Sequence, residues 1–399
     1  MNDMSVRQDE LAGGEVAALG VLTAVAVANG YYIQPLLNEV GAAVALPPSL
    51  LGLLPACTQL GFAIGLVAVL PLADNLTARR VLLAVVPLQV AALLFVAASR
   101  GAAMLMIGCL GIGVAGMTPY ILPPYASLRV PPGRLGYVTG MLTRGVNCGI
   151  LLARAAAGIV AVHLGWRAVY VMAAVAMSGV LVGLARIVTP QPRGARIGYG
   201  RLIASMAGLL RSEPRLRAAA LCQGLNFGSF NTFWLGSTLY LHDRFGWSPD
   251  QIGTVSILGA VAAFSAPLFG RAITRVGPAR ARAAAMAGIV LSWVLFAALR
   301  DSLAGMAAAL ILIDICATVQ DISSRTILYA FAPDQRTRLN AVYTLAMFAG
   351  GGASSALVGL CWVAGGWLAI CALGAASAVT GLAVAARAIR LRQFYATRE

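Results

Sequence analysis

Twelve apolar runs of about twenty residues constrain this chain more than any other feature. They cover roughly 16–38, 49–72, 81–98, 102–128, 135–162, 167–188, 214–241, 249–272, 280–299, 303–331, 337–363 and 366–390. A helix needs about 20 mostly apolar residues to cross the hydrocarbon core of a bilayer. The runs are too long for membrane strands and lack period-two alternation, so helices are expected and a barrel is not. Turn residues separate them: Pro47-Pro48, Asp74-Asn75, Pro131-Pro132-Gly133, Gly165, Gly246, Gly277 and Gly365-Gly366. The residues are 60% hydrophobic and 11% charged, against about 25% charged in soluble proteins. That composition excludes a soluble enzyme, a disordered chain and a secreted disulfide scaffold.

All 29 basic residues are Arg, and with 14 acidic residues they give a net charge of +15. Such a balance can mark nucleic-acid binding, but here the Arg lie mostly in short loops between apolar runs, so no nucleic-acid partner is expected. Arg144, Arg154 and Arg325 lie inside the runs. Arg100, Arg167, Arg244 and Arg300 occupy loops on one side, and all the others fall on the opposite side or in the tails. Cytoplasmic loops carry the excess of positive charge. The asymmetry therefore places both termini in the cytoplasm and supports an even number of crossings. The polar, net acidic segment 1–15 lacks the basic start and small-residue cleavage site of a signal peptide, so it is expected to stay attached.

The longest loop, about 189–213, is rich in Arg, Gly and Pro and divides the runs into two sets of six. This predicts one bundle over 1–188, a cytoplasmic linker over 189–213 and a second bundle over 214–399. A weak repeat at an offset near 200 residues agrees. Arg134-Leu135-Gly136-Tyr137-Val138 answers Arg338-Leu339-Asn340-Ala341-Val342, and Gly165-Trp166 answers Gly366-Trp367. Paired six-helix halves of this kind are a transporter architecture. No ATP-binding loop and no H-E-x-x-H occurs, and His163 and His242 lie outside the span cores. Coupling is therefore expected to be secondary, and neither an enzyme nor a metal site is expected. The seven Cys fall inside the runs with no C-x-x-C pair, which reads as small buried hydrophobes.

Ionisable groups within a span each cost about 2.5–3.5 kcal/mol near the bilayer centre. Arg144, Arg154, Asp314, Asp321 and Arg325 must therefore face the bundle interior or one another. Asp314 and Asp321 are two helical turns apart and share a face. Asp321 and Arg325 stand at i,i+4 in the favourable order and can pair locally. Asp314 has no local partner, and a carboxylate so placed is a candidate for proton exchange. At 1.5 Å per residue, Arg144 and Asp321 lie in the cytoplasmic half of their spans, and Arg154 and Asp314 in the external half.

Several segments carry a family resemblance. The second–third loop, Leu70-Pro71-Leu72-Ala73-Asp74-Asn75-Leu76-Thr77-Ala78-Arg79-Arg80, resembles the G-x-L-A-D-R-x-G-R-R signature of the major facilitator superfamily. Leu70 and Thr77 stand there for glycines, and Asn75 for an Arg. Gly270-Arg271-Ala272-Ile273-Thr274-Arg275-Val276-Gly277 is a second copy without the Asp. Tyr31-Tyr32-Ile33-Gln34-Pro35-Leu36-Leu37, Gly149-Ile150-Leu151-Leu152-Ala153-Arg154 and Arg336-Thr337-Arg338-Leu339-Asn340-Ala341-Val342-Tyr343 look like a bacterial exporter branch. Its members are mostly proton-coupled antiporters of drugs, sugars, siderophores or metabolites.

The resemblance implies an all-α fold of twelve transmembrane helices in two pseudo-symmetric six-helix bundles. It also implies a monomer in the bacterial inner membrane, working on a small molecule and protons by alternating access without a cofactor. Export is the favoured direction, with uptake or facilitated diffusion of a sugar or other small metabolite as the alternative. In the superfamily, helices five and ten meet across the seam between halves. Two depth-matched pairs, Arg144–Asp321 and Arg154–Asp314, are therefore expected as alternating locks, with Asp314 and Asp321 as proton-coupling candidates and Arg325 as a further charge partner. Asp74, Arg79 and Arg80 fall on the gating motif. By the same resemblance the cavity wall comes from spans one, four, seven and ten. That gives Asn29, Tyr32, Gln34, Tyr120, Gln223, Asn226, Phe227 and Phe230 as substrate contacts, with Asn147 of span five. Phe227, Phe230 and Trp234 follow i, i+3, i+7 and form one stripe, with Trp234 expected nearer the external surface as an interfacial aromatic.

Overall fold

A computed structural model of the chain describes residues 10–69, 72, 76–190, 199–259, 269–270, 272–331 and 335–396. The described residues form helices joined by turns and short loops, with no strand among them. Fourteen α-helices are described: α1 (Gly13–Ala28), α2 (Leu37–Ala43), α3 (Leu53–Ala68), α4 (Ala78–Ala97), α5 (Ala102–Ala115), α6 (Thr118–Ser127), α7 (Leu135–Leu164), α8 (Trp166–Ile187), α9 (Tyr199–Ser212), α10 (Pro214–Phe245), α11 (Pro249–Thr254), α12 (Pro278–Ala298), α13 (Leu303–Tyr329) and α14 (Arg336–Ala396).

The turn signals end helices where expected. Gly165, Gly246 and Gly277 all take positive φ, at 81°, 68° and 91°, a backbone region open to Gly without steric cost. α14 is broken at Gly365-Gly366 and holds two crossings. Starts are capped by side chains, as Thr77 accepts from Arg80 N at 3.3 Å and Ser302 from Gly305 N at 3.2 Å.

Among the described residues eight helical stretches are long and apolar enough to cross a membrane; α5 with α6 makes one of them, and the double-length α14 is another. The remaining three expected spans differ for physical reasons. Span one is split, α1 and α2 flanking a turn over 29–36. Span seven is the 32-residue α10, whose Gln, Asn, Ser and Thr side chains lower its apolarity. Span eight opens with α11 and a 3-10 turn, Val255–Gly259, and its continuation over 260–268 lies outside the described residues. The loop expected at 189–213 holds one helix, α9, whose Met206 and Leu209 pack on Leu216, Leu339 and Tyr343.

Each half is knit by aromatic and small-residue contacts. Phe233 stacks on Phe296 at 4.6 Å and Tyr240 on Trp367 at 4.7 Å. Trp293 donates through Nε1 to Ser229 Oγ at 2.7 Å, and Trp367 to the Phe296 carbonyl at 2.9 Å. These contacts bind spans seven, nine and twelve. Between the halves, the described backbone contacts gather at the Arg-poor end. Gly158 of α7 lies against Pro249, Gly253 against Arg154, Gly52 against Ser355, and Gly359 against Ser49. A Cβ at any of these four glycines would overlap backbone atoms of the other half. Small residues allow this approach, as in membrane helix pairs generally.

Candidate functional site

Between the halves lies a cavity of about 320 Å³. The N-terminal half contributes Thr143, Asn147, Ile150, Leu151 and Arg154, all from α7. The C-terminal half contributes α10 (Gln223, Asn226, Phe227, Phe230, Trp234), Gly259, and α13 (Asp314, Thr318, Asp321 among others). The volume sits at the low end of the ~300–1,000 Å³ typical of ligand pockets.

Arg154 closes the Arg-poor end of this cavity. It is 3% exposed, and its Nε donates to Gln34 Oε1 at 2.7 Å. Gln34 passes the bond on, donating through Nε2 to Asn231 Oδ1 at 3.1 Å. Asn231 then donates to the Gly351 carbonyl at 3.2 Å and to Ser355 Oγ. The guanidinium carbon lies 3.9 Å from the Trp234 ring centre and 5.4 Å from that of Tyr31. Stacking on aromatic faces lowers the cost of burying a guanidinium.

Asp314 stands opposite and is 5% exposed. Neither of its carboxylate oxygens has a hydrogen-bond partner. Thr318 bonds to its main-chain carbonyl at 2.8 Å and leaves the carboxylate alone. A Cβ built on Gly259 would sit 2.9 Å from Oδ2, so the glycine gives the carboxylate its room. Arg154 and Asp314 line one cavity but form no ion pair. The expected contact is absent because Gln34 and two rings already hold the Arg.

Two turns further along α13 a second cluster is complete in itself. Arg325 Nε meets Asp321 Oδ2 at 2.9 Å and Arg325 Nη1 meets Asn340 Oδ1 at 2.8 Å. Tyr343 donates to Asp321 Oδ1 at 2.8 Å, and its hydroxyl lies 2.9 Å from Gln223 Oε1. The Arg144–Asp321 lock is therefore not formed. Asp321 is taken by the local i,i+4 partner, while Arg144 is exposed on α7.

The other expected contacts divide. Asn147, Gln223, Asn226, Phe227 and Phe230 line the cavity, with Asn226 bonded to Gln320 Oε1 at 2.9 Å. Gln34 acts behind Arg154. Asn29 is buried, bonds to its own helix at Val25 and Ala26, and is not among the lining residues. Tyr32 meets Tyr170 edge-on, and Tyr120 meets Phe348 edge-on, so neither is among the lining residues. Trp234, expected as an interfacial ring, is 4% exposed and belongs to the cavity. Of the gating motif, Arg79 donates to the Ala185 carbonyl at 3.1 Å, Arg80 is exposed, and Asp74 lies outside the described residues. Asn231 and Tyr343 were not singled out from the sequence. Asn231 stands one turn beyond Phe227 on α10, a signal available but weak.

The described residues hold no cluster of His, Cys, Asp or Glu able to bind a metal, and the seven cysteines are unpaired.

Comparison with known proteins accounts for this arrangement. The Major Facilitator Superfamily profile matches residues 19–221 and again 219–398, once for each half. The uncharacterized transporter YgaY of Escherichia coli O157:H7 is 30% identical over 382 residues, covering 96% of this chain and 97% of YgaY. The transporter SCO4007 of Streptomyces coelicolor is 32% identical over 367 residues, covering 91% and 85%. Among solved structures, the nucleoside transporter NupG shares the fold at a TM-score of 0.76 and 13% identity, covering 94% of this chain and 99% of NupG. With two related halves matched by the family profile and a cavity between them, the chain belongs to the major facilitator superfamily and is a multi-pass membrane transporter.

Proposed function

We propose that the protein is a proton-coupled exporter of a small amphipathic molecule, working as a monomer in a bacterial inner membrane by alternating access. The Arg-rich end is cytoplasmic on this reading, as are both termini, and the halves divide at the 189–213 linker. The structure then corresponds to the inward-facing state, closed externally by the Arg154–Gln34–Asn231 chain.

One observation carries the reading: Asp314 is buried, borders the cavity and has no partner on either oxygen. An isolated buried carboxylate is costly as an anion and relieves the cost by taking a proton. In a cavity that opens alternately to the two sides, such a group can load from one and release to the other. One charge crossing 100 mV supplies about 2.3 kcal/mol, enough to drive a solute outward. Asp321, paired with Arg325 and Tyr343, is a fixed part of the C-terminal half. Phe227, Phe230 and Trp234 offer an apolar wall to a ring-bearing or amphipathic solute.

The test is a small-molecule profile of cells and spent medium with the gene, without it, and with Asp314→Asn. A compound released by the wild type should be retained in the other two strains, and an uncoupler should abolish its release. Release that survives both Asp314→Asn and the uncoupler would overturn the reading. A compound taken up by the wild type would favour import instead.

A further inference from the structure

Two charges of opposite sign meet this cavity unneutralised, one from each half. Arg154 of α7 is hydrogen-bonded through Nε alone, to a neutral amide, and otherwise lies against ring faces. Among the described residues no carboxylate pairs with it. Asp314 of α13 offers two oxygens, both unbonded. Neither a hydrogen bond nor an ion-pair contact joins the two.

We infer that the solute is a zwitterion of amino-acid or dipeptide size, its carboxylate held by Arg154 and its ammonium by Asp314. Such a solute meets both groups at once with its own charges. An anion leaves Asp314 to take up a proton, a cation leaves Arg154 without a counter-charge, and a neutral solute leaves both unmatched. The guanidinium end matches a carboxylate, which accepts parallel bonds from its fork. The cavity volume of about 320 Å³ admits a small molecule of this class, and Phe227 and Phe230 give an apolar side chain a wall. Binding would also tie the two halves together, since the anchoring groups belong to different bundles.

This inference rests on the transport reading, because it takes the cavity between the halves as the solute site. It deepens that reading by one step. A proton on Asp314 would remove the ammonium's partner, so solute and proton would exchange at one carboxylate.

The experiment is equilibrium binding to the purified full chain in detergent, with no gradient present. The probes are L-phenylalanine, L-leucine and their homodipeptides. Each is set beside its C-terminal amide, which is only cationic, and its N-acetyl form, which is only anionic. At least one zwitterion should bind tenfold or more tightly than both of its singly charged counterparts. Arg154→Gln should erase its advantage over the amide, and Asp314→Asn its advantage over the N-acetyl form. The wild-type ranking decides the matter even if a variant misfolds, and Arg154→Lys keeps the charge while removing the fork. Equal binding within the sets, an advantage that survives in folded variants, or no binding by any zwitterion would overturn the inference. A failure of proton coupling would leave the binding order unchanged, so the two ideas fail separately.

Discussion

Gln34 donates through Nε2 to Asn231 Oδ1 across the seam between the two halves of the transporter, a buried hydrogen bond of 3.1 Å. Gln34 lies in the turn that splits span one, and Asn231 on α10 of the other half. Because Gln34 also accepts from Arg154, the bond fixes the cavity's charged wall and closes one end of the seam together.

Gln34→Leu should loosen that closure without unfolding either half. A buried neutral hydrogen bond contributes about 1 kcal/mol, so the balance between states should shift about fivefold. Spin labels at Leu50 and Val363, both exposed and both near the Arg-poor end, should report longer distances in the variant. An unchanged distance distribution would show that the bond does not hold the seam.

The glycines facing the other half should behave differently from those within a half. Gly350→Leu sets a side chain into the backbone of α10 at Gly224, inside the C-terminal half. Overpacking of this kind costs about 1–3 kcal/mol or more, and thermal unfolding in detergent should come several degrees earlier. Gly158→Leu meets Pro249 across the seam instead. Its melting temperature should stay near wild type while the label distances lengthen.

Gly259→Ala should impair transport through Asp314. The added Cβ would lie 2.9 Å from Oδ2 and 3.1 Å from a Leu151 methyl, so the carboxylate must turn away or move. Transport should fall at least tenfold with expression unchanged. A fully active Gly259→Ala would mean that the position of this carboxylate does not matter.

Asp321→Asn should act on stability. Arg325 would lose its counter-charge, and both side chains are 32% exposed, so solvent screens part of the effect. A loss of about 1–2 kcal/mol is expected, read as a lower melting temperature. Adding Arg325→Met should restore most of it, because the uncompensated charge is then gone. A double variant no more stable than the single one would contradict this.

Span positions, breaks and the two-half plan were legible because the bilayer demands long apolar runs and because positive-φ glycines mark the turns. Arg154 and Asp314 were legible as costly charges at matched depth. Their separation was not, since it depends on a glutamine from span one that reaches the Arg first. Arg144 and Asp321 stand at matched depth but do not meet, because the local i,i+4 alternative prevails. Asp321 has a partner four residues away that needs no second helix. Trp234 looked interfacial by its height in the span, yet the broken first span places Tyr31 and Gln34 beside Arg154 at that height. Asn29-Gly30 and Pro35 mark that break in the sequence, but the apolar residues around them carry the run across it. The helix α9 in the linker was masked by its Arg content, although Met206 and Leu209 have helical spacing.

On the proposed reading Asp314 carries the coupling proton. Once the released compound is known, inside-out vesicles with an acidic lumen give the most direct measurement, comparing wild type with Asp314→Asn. Wild-type vesicles should accumulate the compound against its gradient, and accumulation should vanish when the pH difference is dissipated. Asp314→Asn vesicles should show no gradient-driven accumulation. Accumulation in Asp314→Asn vesicles equal to wild type, still abolished by an uncoupler, would place the coupling proton on another group.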